Sequence, residues 1–264
     1  MKQFRVCMIG ASHITSFELG WQKISYAYPF VDITAVPGGG SFYSEFFCNF
    51  NENTLGVTNA ITKSRIIQNY GNDGELNLDD FDLCLVTGGV KWWSGIDRRL
   101  YSQQVFDAAL FYQIESSLAY PLLNVIRQIS KIPIYLTLAP FAPKRDGSFG
   151  RSSVGFSEEI CRINDGLFGG KNIEILPQIE ESMIGGLLQS KLEFAVGERR
   201  HPAKPIEGQE TTILYDLVHS NPAFGARFLA QILERQGIFP TEDITEFPIA
   251  TGCMTLAEKE SLSI

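Results

Sequence analysis

The feature that most constrains the fold is a series of short apolar segments that end in glycine or proline and are separated by helix-like stretches. Five such segments are rich in aliphatic and β-branched residues and have the length of buried strands: residues 4–9, 30–36, 81–87, 132–139 and 173–177. Apolar strands that alternate with helices predict a parallel sheet covered on both faces. We therefore expect an α/β fold, a three-layer α/β/α sandwich with a central parallel sheet.

Helical spacing of apolar residues recurs between the strands. It predicts a helix after the first strand, one or two helices over residues 103–130 with an interruption near Pro121, and a helix that follows Asn221-Pro222. No linker divides the chain, so we expect one domain over residues 1–236. Residues 237–264, which two prolines interrupt, are expected to form a tail that packs on the domain or on a partner.

Charge and hydropathy exclude several classes of partner. The 264 residues carry a net charge of -8, which disfavours a nucleic-acid partner. No window approaches the roughly 18 consecutive apolar residues of a membrane span. The amino terminus leads directly into a strand without the features of a secretory signal, so we expect a cytoplasmic protein. A small molecule or a neutral carbohydrate is the favoured substrate, and a homodimer is compatible with the aromatic content.

The cysteine pattern points to reduced thiols. The five cysteines are scattered, their number is odd, and no pair has the spacing of a zinc site. Cys7 and Cys84 lie within apolar segments and are expected in the core.

Glycine-rich segments follow the first three predicted strands, and ligands of parallel α/β sheets bind beyond the carboxyl ends of the strands. Ser12 lies in the first of these segments, where exposure and backbone N–H groups favour a nucleophile. A helix cap is the structural alternative for this serine.

Near the other end of the chain, Asp216 precedes His219 by three residues, a spacing that lets the carboxylate orient the imidazole. The alternative there is a purely structural Asp–His hydrogen bond.

These segments, taken in order, resemble the SGNH (GDSL-type) hydrolases, a family with a flavodoxin-like sheet. The resemblance covers most of the chain from Phe4 to about Leu233. It rests on Gly10-Ala11-Ser12-His13, on the glycines after the second and third strands, and on Asp216-x-x-His219-x-Asn221-x-x-Phe224-Gly225. The first block departs from the commoner Gly-Asp-Ser, and its Gly-x-Ser-His form resembles a subgroup linked with carbohydrate modification.

The resemblance implies a catalytic triad in which Ser12 is the nucleophile, His219 the base and Asp216 its orienting carboxylate. It also implies an oxyanion hole built from the Ser12 N–H, a glycine N–H among Gly38, Gly39 and Gly40, and an asparagine after the third strand. This chain has Thr87-Gly88-Gly89-Val90-Lys91 where the family has that asparagine. We expect a backbone N–H near Gly89, or the side chain of Lys91 or Ser94, to replace it.

Substrate contacts are expected from residues that flank these segments. The third strand is followed by Lys91, Trp92 and Trp93. The indole faces of the two tryptophans would suit the apolar faces of sugar rings. The alternative is that one or both tryptophans anchor a loop in the core. His13 either contacts substrate or shapes the turn. The sequence has three histidines, no HExxH spacing and no phosphate-binding loop, so we expect neither a metal nor another cofactor.

Together these features predict a serine esterase that cleaves a small acyl ester from a carbohydrate or another hydroxylated metabolite. Two alternatives remain open. One is an O-acyltransferase that uses the same site, and the other is a non-catalytic carbohydrate-binding protein, which the missing asparagine would explain.

Overall fold

A computed structural model describes residues 2–38, 42–50, 52–70, 73–92, 98–142, 152–194 and 220–244. Within them the strands are β1 (Phe4–Gly10), β2 (Val31–Pro37), β3 (Phe46–Asn49), β4 (Thr54–Val57), β5 (Glu75–Leu76), β6 (Leu83–Thr87), β7 (Ile134–Thr137) and β8 (Ile173–Leu176). The α-helices are α1 (Ile14–Ile24), α2 (Ala60–Tyr70), α3 (Gln103–Glu115), α4 (Tyr120–Ile129), α5 (Phe156–Gly166) and α6 (Pro222–Arg235).

The main sheet has five parallel strands in the order β2-β1-β6-β7-β8. All five predicted strands are present, and the expectation of an α/β fold with a central parallel sheet flanked by helices is confirmed. The third and fourth strands begin later than predicted. Asp82, just before β6, accepts the backbone N–H of Arg5 on its carboxylate, and Pro133, just before β7, has no N–H to offer to a ladder.

The three inner strands of this sheet, β1, β6 and β7, form its core. Every residue of β6 and β7 is buried, as are the last five of β1, which is typical of parallel strands covered on both faces. Cys7 and Cys84 are partners across these strands, and both are buried free thiols, as predicted. The hydrogen bond with Cys84, together with burial, raises the pKa of Cys7 well above its usual value. Both residues therefore act as apolar core side chains.

The chain forms two compact units, and the main sheet belongs to the first, which comprises residues 1–14, 30–139 and 154–177. Helix α2 contacts β2, and α5 contacts β8. The predicted helical region 103–130 consists of two helices, α3 and α4, and Pro121 lies in the first turn of α4, where it breaks no helical hydrogen bond.

The first unit also contains a small antiparallel sheet, β3-β4-β5, that the sequence did not reveal. Its strands are short, and polar residues interrupt their alternation. Phe47 lies across from Gly56, and its ring covers that glycine, a cross-strand pairing that compensates for the missing side chain. Helix α4 packs on β3 and β4. Contacts between elements, rather than strand propensity, therefore stabilise this sheet.

The second unit comprises residues 15–29, 140–153 and 178–264, of which only part is described. In the described part of this unit, α1 packs on α6. A methyl group at Gly20 would overlap the backbone of α6, and one at Gly225 would overlap the carbonyl of Ser16. The ring of Phe17 packs edge-on against Phe224, with ring centres 6.1 Å apart. These glycines let the two helices approach backbone to backbone.

The predicted tail begins with a described segment. Gly237 follows α6 in a left-handed conformation, and the Thr241 N–H donates to the Ala27 carbonyl at 2.8 Å. Residues 245–264 lie outside the described part of the chain, so the division at residue 236 stays a prediction.

We expect Gly225→Ala to lower the free energy of unfolding by about 1 to 3 kcal/mol, because the new methyl group would overpack the α1–α6 contact. In an exposed helix the same change would stabilise by up to about 1 kcal/mol. Gly185→Ala is the matched control, since nothing lies within 4 Å of the added methyl group. Chemical denaturation measures both effects, and a more stable Gly225→Ala variant would show that the helices do not approach this closely.

Candidate active site

Ser12 lies in the turn between β1 and α1. The turn is closed by the Ile14 N–H, which donates to the Ala11 carbonyl at 3.0 Å. His13, not Ser12, occupies the position directly before the helix. Ser12 is partly exposed and makes no hydrogen bond with any residue that the structure describes. The interpretation of Ser12 as a helix cap therefore receives no support.

The ends of β1 and β6 approach each other closely beneath this turn. The pair Gly10 and Thr87 ends the register of the two strands. A methyl group at Gly10 would overlap the Thr87 side-chain oxygen, so only glycine fits at this position. Ser12 and Gly89 each lie two residues beyond that pair. The strand pairing thus directs both predicted oxyanion donors to the carboxyl edge of the same sheet.

Gly88 and Gly89 form a left-handed turn after β6, with φ of 72° and 77°. The Gly88 N–H donates to the Thr137 carbonyl at 3.2 Å, which commits it to β7. In contrast, the Gly89 N–H donates to no described residue. The imidazole of His13 packs on Gly88, where an added methyl group would lie 3.0 Å from Cδ2. His13 therefore brings the Ser12 turn into contact with the glycine turn.

Gly38 does not offer a free donor. Its N–H donates to the Gly10 carbonyl at 2.9 Å, as the continuation of the β1–β2 ladder. The predicted role of a glycine N–H after the second strand would then fall to Gly39 or Gly40, and both lie outside the described residues.

The loop after β6 is held by packing on its own unit. The Lys91 side chain is exposed, and its carbonyl accepts a hydrogen bond from the Gln113 amide at 3.0 Å. Trp92 packs edge-on against the buried Phe156, with ring centres 5.0 Å apart. Trp92 therefore anchors the loop, as one of the two interpretations of the sequence held. Trp93 and Ser94 lie outside the described residues.

Asp216 and His219, the predicted carboxylate and base, also lie outside the described residues, but their segment is described from Ser220 onward. Asn221 caps α6: its side-chain oxygen accepts the Phe224 N–H at 3.1 Å, and its amide donates to the Glu193 carbonyl at 2.6 Å. Gly225 lies against the backbone of α1. These residues of the resemblance therefore fix the helix that starts just after His219.

Tyr43 is a residue of this region that the sequence did not suggest. It is buried, its hydroxyl accepts the Ala11 N–H at 3.1 Å, and it donates to the Thr87 carbonyl. Burial raises its pKa to about 12, although the bond from Ala11 opposes this shift. No spacing or motif marks Tyr43, because its partners are distant in the chain.

None of the described helices is both long and apolar enough to cross a membrane. Within the same residues, no three side chains of histidine, cysteine, aspartate or glutamate are grouped as a metal site requires. No protein-family model matches the chain, and no curated protein matches it significantly.

We expect Gly89→Ala to destabilise the protein more than Gly170→Ala, by at least about 1 kcal/mol. The two glycines have nearly equal φ, 77° and 73°, so both variants bear the same backbone strain. Only the methyl group at Gly89 meets neighbours, Tyr43 and Ala119, each at 3.0 Å, whereas Gly170 faces open space. Thermal denaturation compares the pair, and equal losses would contradict the packing of Tyr43 on this turn.

Tyr43 also predicts a loss of stability in alkaline solution. Its pKa is about 12 in the folded protein and about 10 in the unfolded chain. A raised pKa contributes stability that is complete below pH 10 and is lost as the pH rises toward 12. We expect the free energy of unfolding to fall less steeply over this interval in Tyr43→Phe than in the wild type. Parallel curves would show that Tyr43 titrates normally.

Proposed function

We propose that the protein is a serine esterase of the SGNH type, with a three-layer α/β/α architecture, and that Ser12 is its nucleophile. The observation that carries the proposal is the exposure of Ser12. This residue follows the carboxyl end of a central parallel strand, is partly exposed, and makes no hydrogen bond with any described residue. Next to its turn, the Gly89 N–H is likewise without a described acceptor. A nucleophile and a backbone donor at one edge of a sheet are two of the groups that acyl transfer requires, and a general base is the third.

In the proposed mechanism, His219 takes the proton from the Ser12 hydroxyl, and Asp216 orients and stabilises the resulting imidazolium. The Ser12 oxygen attacks the acyl carbon, and the ester C–O bond then breaks as His219 protonates the leaving alcohol. Water, activated by His219, attacks the acyl-enzyme. This second step releases a carboxylic acid and restores the Ser12 hydroxyl.

The N–H groups of Ser12 and Gly89 would hold the oxyanion in both steps, together with one of the glycines after β2. Loss of one oxyanion donor costs a factor of about 100 to 1000 in rate. Of the two described candidates to replace the missing asparagine, we favour the Gly89 N–H over the Lys91 side chain. The Gly89 N–H has no described acceptor, whereas the Lys91 side chain is exposed, on a loop that Trp92 anchors on Phe156.

Helices α1 and α6 pack on each other. Helix α1 begins two residues after Ser12, and α6 begins three residues after His219. The contact between Gly225 and Ser16 involves the first turns of both helices, and Gly20, in the second turn of α1, lies against Pro222. The segments that carry the nucleophile and the base therefore lead into helices that touch each other.

We propose a small acyl ester of a carbohydrate or a related hydroxylated metabolite as the substrate. The support is the Gly-x-Ser-His form of the first segment. Transfer of the acyl group to a sugar hydroxyl would use the same acyl-enzyme, and product analysis with and without an acceptor distinguishes it from hydrolysis.

We expect a fluorophosphonate probe to label the wild-type protein at Ser12, and we expect Ser12→Ala to abolish both labelling and the hydrolysis of short acyl esters. His219→Ala should reduce hydrolysis by at least about 1000-fold, because the serine then lacks its base. Mass spectrometry of the labelled peptide identifies the modified residue.

Two matched variants control this experiment. Ser116→Ala removes an exposed serine hydroxyl elsewhere in the first unit, and His201→Ala removes a histidine outside the proposed triad. Both should retain wild-type rates. Unchanged ester hydrolysis in Ser12→Ala and His219→Ala would refute the proposal, and sugar binding without labelling would instead identify a non-catalytic binding protein.

A further inference from the structure

Tyr43 is inserted at the point where β1 and β6 separate. Ala11 is the first residue beyond β1, and Thr87 is the last residue of β6. The phenol oxygen accepts the Ala11 N–H and donates its own proton to the Thr87 carbonyl. One buried hydroxyl therefore joins the residue that follows β1 to Thr87, which belongs to the last pair of the two strands.

The ring of the same residue supports the neighbouring turn. A methyl group at Gly89 would lie 3.0 Å from Cε2 and Cζ of Tyr43, so the ring is in direct contact with the Gly89 backbone. Tyr43 itself is only 2% exposed, and its ring is fixed by burial. It thus touches both backbone segments that carry the proposed oxyanion donors: the residue before Ser12, and Gly89 itself.

We propose that Tyr43 is a positioning residue that sets the Ser12 N–H and the Gly89 N–H at the separation that an oxyanion requires. This inference rests on the proposed serine esterase. Backbone donors cannot adjust by changing rotamer, so their spacing depends on whatever fixes the two turns. A displacement of about 1 Å in such a site is enough to cost 100-fold in rate.

Burial raises the pKa of Tyr43 to about 12, so the phenol continues to donate to Thr87 up to a higher pH than an ordinary tyrosine, whose pKa is about 10, would allow. Removal of the hydroxyl leaves the Ala11 N–H and the Thr87 carbonyl without this partner, and the two turns lose their common support.

The test compares Tyr43→Phe with Tyr70→Phe in fluorophosphonate labelling and ester hydrolysis. Tyr70→Phe is the matched control, because it deletes a hydroxyl in the same unit that is bonded to Asp80 and not to either turn. We expect Tyr43→Phe to lower kcat and the labelling rate 10- to 100-fold with KM unchanged. Tyr70→Phe should keep the wild-type values. A merely structural tyrosine would lower the melting temperature without this selective loss of kcat.

The outcomes separate the two proposals. If the wild type is labelled at Ser12 and Tyr43→Phe reacts at the same rate, the positioning role is overturned and the esterase stands. If the wild type is neither labelled nor active, the esterase fails and the positioning role fails with it.

A second pair of variants decides the matter if Tyr43→Phe does not fold. The methyl group of Gly89→Ala presses on the Tyr43 ring and on Ala119, whereas Gly170→Ala bears the same backbone strain with no neighbour. We expect at least 10-fold slower labelling of Ser12 in Gly89→Ala than in Gly170→Ala. Equal rates would overturn the proposal.

Discussion

The pairing of β1 with β6, which ends at Gly10 and Thr87, is the constraint on which the candidate site depends. Because Gly10 has no side chain, the Thr87 hydroxyl occupies the volume next to it, and the strands stay paired to their last residues. The turns that follow then separate from a fixed point. Ser12 and Gly89 occupy equivalent places in those two turns, so the sheet brings both to its carboxyl edge, where Tyr43 contacts the two turns.

The main sheet could be predicted because strands that are buried on both faces consist of continuous apolar residues. Strand β6 is the clearest example. The small sheet could not, since β3, β4 and β5 are short and depend on pairs such as Phe47 with Gly56 and on helix α4. The role of Tyr43 could not be predicted for a similar reason. Its two partners lie 32 and 44 positions away, and only the tertiary structure brings them to one hydroxyl.

Glycine positions were predictable, but the availability of their N–H groups was not. Gly38 and Gly88 directly follow β2 and β6, and the neighbouring strands take up both donors, through the carbonyls of Gly10 and Thr137. Gly89 is one residue further, and its N–H donates to no described residue. Sequence composition marks where the backbone can turn, whereas strand register decides which donor remains for a ligand.

Under the proposed function, this distinction also accounts for the missing asparagine. A side-chain donor tolerates a range of loop conformations because its rotamers can adapt, whereas a backbone donor requires the loop itself to be fixed. Two consecutive left-handed residues, Gly88 and Gly89, form such a loop, and only glycine adopts that conformation without strain. Such a loop holds the backbone N–H in one position only if neighbouring side chains prevent the glycines from adopting other conformations. The buried ring of Tyr43 and the imidazole of His13, packed on Gly89 and Gly88 respectively, provide that restraint.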